Sequence, residues 1–444
     1  MENKELKKDI GFVTAISLVV GMVIGSGVFF KPTDVFSATK APGLGIIAWI
    51  LGGVISIAAG LTAAEVSASI TKPGGMMTYL KETYGDIWGY MLGWAQTIVY
   101  FPAVIAALGI IFATQAVSLL GINDTLIIPI AMITIIFLVF MNSLGSKTGG
   151  IIQTISTIGK LIPLFAIIII GFTNGDGTSA RLFPIVSKEH NFVTALGSAL
   201  VATMFAYDGW IMVGNIASEM KNPGKDLPKA IVGGLSLVMG VYVLINIAYL
   251  YVLPADVLAA TSTPAADVAK VIFGSSGGKV ITIGILVSIF GALNGYILTG
   301  PRVPYALALE NKLPGSEWLS KLHPRLETPV NASICLTLLS MVYALSGQFG
   351  MLTDLLTFII WIFYVMTFVA VFVLRKNRPE LKRPYKVPLY PVVPMIAILG
   401  GLYIIVNTLL TQPLYAGLSL GVTLLGLPVY NARKSKFKQL QENQ

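Results

Sequence analysis

Twelve apolar stretches of about 20 residues, each long enough to cross a bilayer as a helix, leave this chain almost no choice of fold. Inside lipid every backbone N–H and C=O needs a partner from the protein, so only helices and closed barrels span a membrane. Stretches of this length are helical, and they run at about 10–36, 43–70, 86–117, 125–143, 150–172, 193–218, 230–252, 279–300, 329–346, 352–374, 391–410 and 414–431. Charged residues make up only 11% of the chain, against roughly 25% in soluble domains. The expected class is an all-α polytopic membrane protein embedded in a lipid bilayer, and its net charge of +9 requires no nucleic acid. The one cysteine, Cys335, rules out a disulfide within the chain. The start, MENKELKKD, is short and polar without a cleavable signal pattern, so the first apolar segment reads as a retained span.

An even number of spans puts both termini on one side. Cytoplasmic termini leave 23 of the 30 Lys and Arg on that side, with Lys31, Lys40, Arg181, Lys188, Lys270 and Lys279 outside and Lys160 within a span. The loop Arg375 to Lys386 and the tail Arg433 to Lys438 dominate the bias. The positive-inside rule therefore predicts a multi-pass plasma-membrane protein with cytoplasmic termini.

Within the first apolar stretch, Gly21, Gly25, Ser26 and Gly27 fall inside seven residues ahead of Phe29. Glycine weakens a helix and permits close backbone approach. Taken alone, the segment fits either a broken helix whose freed backbone groups face a ligand or a small-residue packing face. Span six carries a second interruption, Phe205-Ala206-Tyr207-Asp208-Gly209-Trp210. Breaks in spans one and six, five spans apart, are the pattern of two repeats whose first helices both unwind. Lys160 sits near the middle of span five, about ten residues or roughly 15 Å from either end. A lysine there costs about 2.5–3.5 kcal/mol to insert, and snorkelling to the interface would be a long reach. Glu65 and Asp354 lie nearer span ends, as interfacial or helix-packing residues.

Together with Pro73-Gly74-Gly75-Met-Met-Thr78-Tyr79-Leu80 and Glu219-Met220-Lys221-Asn222-Pro223, these segments resemble the amino acid–polyamine–organocation transporters. Within that superfamily the chain resembles the L-type amino acid transporter family, and in particular its bacterial serine/threonine or alanine-serine-cysteine exchangers. The resemblance runs through nearly the whole chain. It implies ten core helices in two inverted five-helix repeats, at about 10–172 and 193–374, with discontinuous helices one and six. Two peripheral helices at about 391–431 complete one transmembrane domain, 1–431, followed by a basic cytoplasmic tail, 432–444. It also implies sodium-independent exchange of small neutral L-amino acids such as Ala, Ser, Thr and Cys by alternating access. Proton-coupled symport and exchange of large neutral amino acids are the alternatives.

The residues fit that chemistry. A zwitterion needs donors for its carboxylate and acceptors for its ammonium. Gly25, Ser26 and Gly27 offer backbone N–H groups and a hydroxyl at the start of an outer half-helix. Carbonyls from Gly21 to Ile24, and those of Phe205 and Ala206, are the acceptors. Tyr207, Asp208 and Trp210 are candidate pocket walls, and by resemblance Phe205 is the aromatic gate closing over substrate from outside. Lys160 matches the lysine that family members carry on span five, where sodium-coupled relatives hold a cation. A tethered ammonium touching span-one carbonyls near Gly21, and Ser288 on span eight, would replace that ion. A buried lysine can also lose its proton, which keeps proton coupling open. Tyr242 and Asn294, on spans seven and eight, either join this network or make ordinary helix–helix hydrogen bonds.

Animal L-type light chains carry a cysteine between spans three and four that bonds an ancillary glycoprotein. The matching loop here, Ser118 to Asp124, has none, so no disulfide-linked heavy subunit is expected. An enzyme would need a nucleophile with a base or a metal cluster, but His190 and His323 lie in loops and Cys335 has no evident partner. No cofactor or metal is expected. Paired broken helices argue against a channel, and an amino-acid receptor on the same fold remains to be separated by counterflow of labelled substrate.

Overall fold

A computed structural model describes residues 8–70, 74–174, 182–186 and 191–433. Pro73, Arg181, Lys188, His190 and nearly all of the basic tail lie outside the described residues.

Eleven helices of the described chain are long and apolar enough to span a membrane, and a shorter apolar helix, Val330–Ala344, occupies the place of span nine. The twelve expected spans are therefore all helical. Proline opens four of the helices, at Pro42, Pro223, Pro264 and Pro413, where its missing N–H costs no helical hydrogen bond. Span four, Ile127–Ser143, turns Ile133, Phe137 and Phe140 outward, the lipid-facing surface that such a helix needs.

Several elements differ from the hydropathy reading. Span five starts earlier, at Ser146, and runs to Asn174. Span eight belongs to a helix over Pro264–Thr299 that breaks its own geometry at Gly274, at φ 73°. Span three changes to π-helix over Gln96–Tyr100 between Asp86–Ala95 and Phe101–Leu120. The second half of span six, Trp210–Glu219, is a ten-residue 3₁₀ helix, although runs beyond three or four residues are uncommon.

Spans one and six are both discontinuous. Span one divides into Phe12–Val23 and Gly27–Thr39, and span six into Phe192–Ala206 and Trp210–Glu219. Span seven, Pro223–Val252, packs on span two, Pro42–Ser69, and on the first half of span one, whose second half packs on the first half of span six. Span five packs on span eight, while span three packs on spans four, eight, nine and ten. Two groups of helices thus meet across the broken pair.

The termini-side ends are tied by charge. Glu65, 3% exposed, accepts from Arg375 Nε at 2.8 Å, from Arg375 Nη2 at 2.7 Å and from the Val387 backbone N–H at 2.7 Å. It is therefore a packing residue that fastens the loop between spans ten and eleven. Lys81, on the short helix Met76–Tyr84, lies 2.5 Å from Glu310 and 3.6 Å from Asp86. Burial opposes its charge, yet these carboxylates outweigh that and hold its pKa above the ordinary lysine value.

Candidate functional site

The two breaks face each other in the middle of the bundle. Span one leaves α-helical geometry at Ile24 (φ −75°, ψ 80°) and re-enters at Gly27, while span six turns at Tyr207, Asp208 and Gly209, the last at φ 104°. A cavity of about 20 Å³ lies between them, lined by Met22, Val23, Gly25, Ser26, Gly27, Val104, Leu108, Phe205, Asp208 and Tyr296. That is room for about one water, so the walls must part to admit an amino acid.

The first N–H groups of a helix have no acceptor within it, and here those belong to the second half-helix of span one, which begins at Gly27. Ser26, 2% exposed, caps this end, and its hydroxyl has no hydrogen-bond partner. A buried polar group left unpaired costs about 1–3 kcal/mol. Set beside a helix N-terminus and lining the cavity, it is a ready donor for a carboxylate.

The carbonyls that end the first half-helix of span one meet protein donors. Lys160, fully buried, donates from Nζ to Gly21 O at 2.7 Å and Ile24 O at 2.5 Å. Ser288 Oγ approaches Ile24 O at 3.2 Å and Gly25 O at 3.4 Å. Tyr242 donates to Val23 O at 2.7 Å and is 3.0 Å from Ala206 O, linking the two breaks. Ile24 O thus accepts from both Lys160 and Ser288, and Val23 O from both Tyr242 and the Gly25 N–H at 2.8 Å, which takes both lone pairs of these two carbonyls. Above Lys160 in sequence, Thr157 and Gln153 donate to Ser17 O at 3.0 and 3.3 Å, so one face of span five follows the carbonyls of span one. Asn294 belongs to this ribbon, donating to Gln153 Oε1 at 3.0 Å and accepting from Asn142 at 2.8 Å.

Of the expected pocket walls, only Asp208 lines the cavity. Its carboxylate accepts from Tyr100 at 2.6 Å and Tyr364 at 2.7 Å. Tyr207 packs against Trp49 and Tyr242 and donates to Trp49 O at 3.1 Å, and Trp210 packs on Tyr364. Neither is among the cavity-lining residues. Ala206 abuts Gly27, with its Cα 2.6 Å from where a Cβ on Gly27 would stand. Phe205, partly exposed, meets Phe349 edge-on at 5.9 Å and lies beneath the Lys31 ammonium at 5.2 Å.

Sequence reasoning missed Tyr100, Tyr296 and Tyr364. The only available signal was the run Gln96 to Phe101, where polar and aromatic residues interrupt span three, and Tyr100 ends the π-helical turn there. Such turns recur at functional sites. Among the described residues no group of His, Cys, Asp and Glu is arranged to hold a metal.

The chain matches the amino acid permease family over residues 10–423. It is 43% identical over 436 residues to the serine/threonine exchanger SteT of Bacillus subtilis, covering 98% of this chain and 99% of that one. It is 31% identical to the human b(0,+)-type amino acid transporter 1, covering 92% and 84% of the two chains. It is also 29% identical to the mouse Asc-type amino acid transporter 1, covering 97% and 82%.

Proposed function

Because this chain belongs to the amino acid permease family, we propose that it exchanges small neutral L-amino acids across the membrane without sodium, by alternating access. The observation that carries this reading is the Lys160 ammonium, seated on the carbonyls at the span-one break with Ser288 beside it. A fixed cation there does what a bound sodium ion would do: it satisfies the freed carbonyls and ties span one to spans five and eight.

The substrate carboxylate binds the N–H groups at Gly27 and the Ser26 hydroxyl, and its ammonium takes a carbonyl lone pair at the span-six break, where Ala206 O accepts from Tyr242. Asp208 and Tyr296 bound the side-chain end, and Phe205 closes the outer side. The 43% identity to a serine/threonine exchanger supports small neutral side chains such as alanine, serine, threonine and cysteine over larger ones. The lysine and arginine bias supports cytoplasmic termini, and the positions of the breaks support two five-helix repeats. The protein works without a disulfide-linked subunit at the loop between spans three and four.

The test is counterflow in proteoliposomes loaded with single amino acids. Labelled serine or threonine is expected to enter only against internal small neutral amino acids, equally well in sodium and in choline. Collapse of uptake in choline would overturn the sodium-free reading, and efficient exchange of leucine and phenylalanine with little alanine or serine would overturn the size preference. Accumulation driven by a proton gradient into empty vesicles would identify the symporter alternative. Binding without movement of label would identify a receptor.

A further inference from the structure

Glu219 closes the second half of span six, and its carboxylate is 1% exposed. Arg302, just beyond span eight, grips it with both arms of its fork: Nε to Oε1 at 2.7 Å and Nη2 to Oε2 at 3.0 Å. Ser146, the first residue of span five, donates to Glu219 Oε2 and accepts from Arg302 Nη2 at 2.9 Å. The backbone here is held as well. Ile10, just ahead of span one, donates its N–H to Glu219 O at 3.0 Å and accepts from Lys221 N–H at 2.9 Å. One cluster thus joins the termini-side ends of spans one, five, six and eight, the same four spans whose middles meet at the two breaks.

We propose that Glu219, Arg302 and Ser146 form the gate that seals the substrate site from the termini side, and that this cluster separates once in every transport cycle. Parting spans one and six from spans five and eight on that side requires these contacts to break. The cluster crosses between the two helix groups: Glu219 and Ile10 ride on spans six and one, Ser146 and Arg302 on spans five and eight. The opposite side is closed differently, by Phe205 against Phe349 under Lys31.

Ion pairing suits a seal that must reopen. Apolar packing would hold the closed state at least as firmly, but it would expose a greasy surface on opening. A carboxylate and a guanidinium are each well hydrated once water enters, so both states are stable. The fork also fixes register, because only one alignment of spans six and eight satisfies both hydrogen bonds.

The proposal rests on alternating access as read above, and its test needs no substrate. In a Cys335→Ser background, Ser17→Cys places a thiol on span one between the cluster and the cavity, at a position only 8% exposed. Labelling by a membrane-impermeant maleimide from the termini side is expected to be slow in this parent. Glu219→Ala or Arg302→Ala should speed it at least fivefold, and the exchange Glu219→Arg with Arg302→Glu should slow it again. Unchanged labelling in the single variants, or no recovery in the double variant, would make the cluster a static staple and overturn the proposal. Should the alanine variants fail to reach the membrane, Arg302→Lys, which keeps the charge and loses the fork, gives the reading: faster labelling supports the gate and unchanged labelling overturns it. A failure of serine exchange with labelling as expected would count against the substrate reading alone.

Discussion

Lys160→Ala is expected to slow exchange by about tenfold or more, since one lost charge-assisted hydrogen bond, worth ~1.5–3 kcal/mol, corresponds to at least that factor. Two such bonds are made, to Gly21 O and Ile24 O, and both lie at the point where span one unwinds. The amount of folded protein should change far less, because removing a buried cation also removes the cost of taking it out of water. The ammonium ties span five to the span-one break, and alternating access requires that contact to differ between the two open states. An interaction shifts such an equilibrium only by its difference between the states, so apparent affinity should change unequally on the two faces. Proteoliposomes of known orientation, titrated with serine from each side, measure this. Lys160→Met separates charge from bulk: it should behave like the alanine variant. Unchanged rates and affinities on both faces would reduce Lys160 to a packing residue.

Gly27→Ala should also abolish most transport, for a steric reason. A Cβ on Gly27 would lie 2.6 Å from Ala206 Cα and 2.7 Å from its Cβ, and the nearer atom is backbone that no rotamer change can move. Overpacking of this kind costs about 1–3 kcal/mol, and here it would push apart the two half-helices whose donors and acceptors are proposed above to hold the substrate. Gly25→Ala is the control, since its Cβ would be crowded only by Ala292 Cβ, at 3.1 Å, with Met22 O at 3.6 Å and Leu108 Cδ2 at 4.0 Å in ordinary contact. Exchange and yield measured for both variants should show a loss of at least about tenfold for Gly27→Ala, the factor set by roughly 1.4 kcal/mol, and a milder loss for Gly25→Ala. Equal activity in the two would show that the span-one and span-six halves part freely at this contact.

Much of this molecule is written in its hydropathy. Twelve apolar runs became twelve helices because lipid leaves no other way to satisfy a backbone. The glycines of span one and the Asp208-Gly209 pair of span six marked both breaks correctly, since helix propensity is a local property. Lys160 was conspicuous for its cost alone, and its partners include the carbonyl of Gly21. The glycine run puts Gly21 in the expected substrate site. The structure places it against span five, where a Cβ would stand 2.0 Å from Gln153 Nε2 and 2.4 Å from Thr157 Oγ1. A single sequence says that a glycine is needed, and it does not say which neighbour needs the room.

Pairings across the bundle lay beyond the sequence for a related reason. Glu219 and Arg302 are 83 residues apart, and each alone looks like an ordinary charged residue at a span end. Tyr207, Asp208 and Trp210 are consecutive or nearly so, yet only Asp208 lines the cavity, because a turn that has left the helix sends successive side chains in directions no helical period foretells. The sequence by itself determined the class of fold, the number of spans, the two breaks and the buried lysine, all of which follow from local composition in a solvent that tolerates few errors. Tertiary structure alone decided which aromatic rings close the cavity and which distant charges meet at its termini-side end. Those depend on helix rotation and crossing, which are set by packing between segments far apart in the chain.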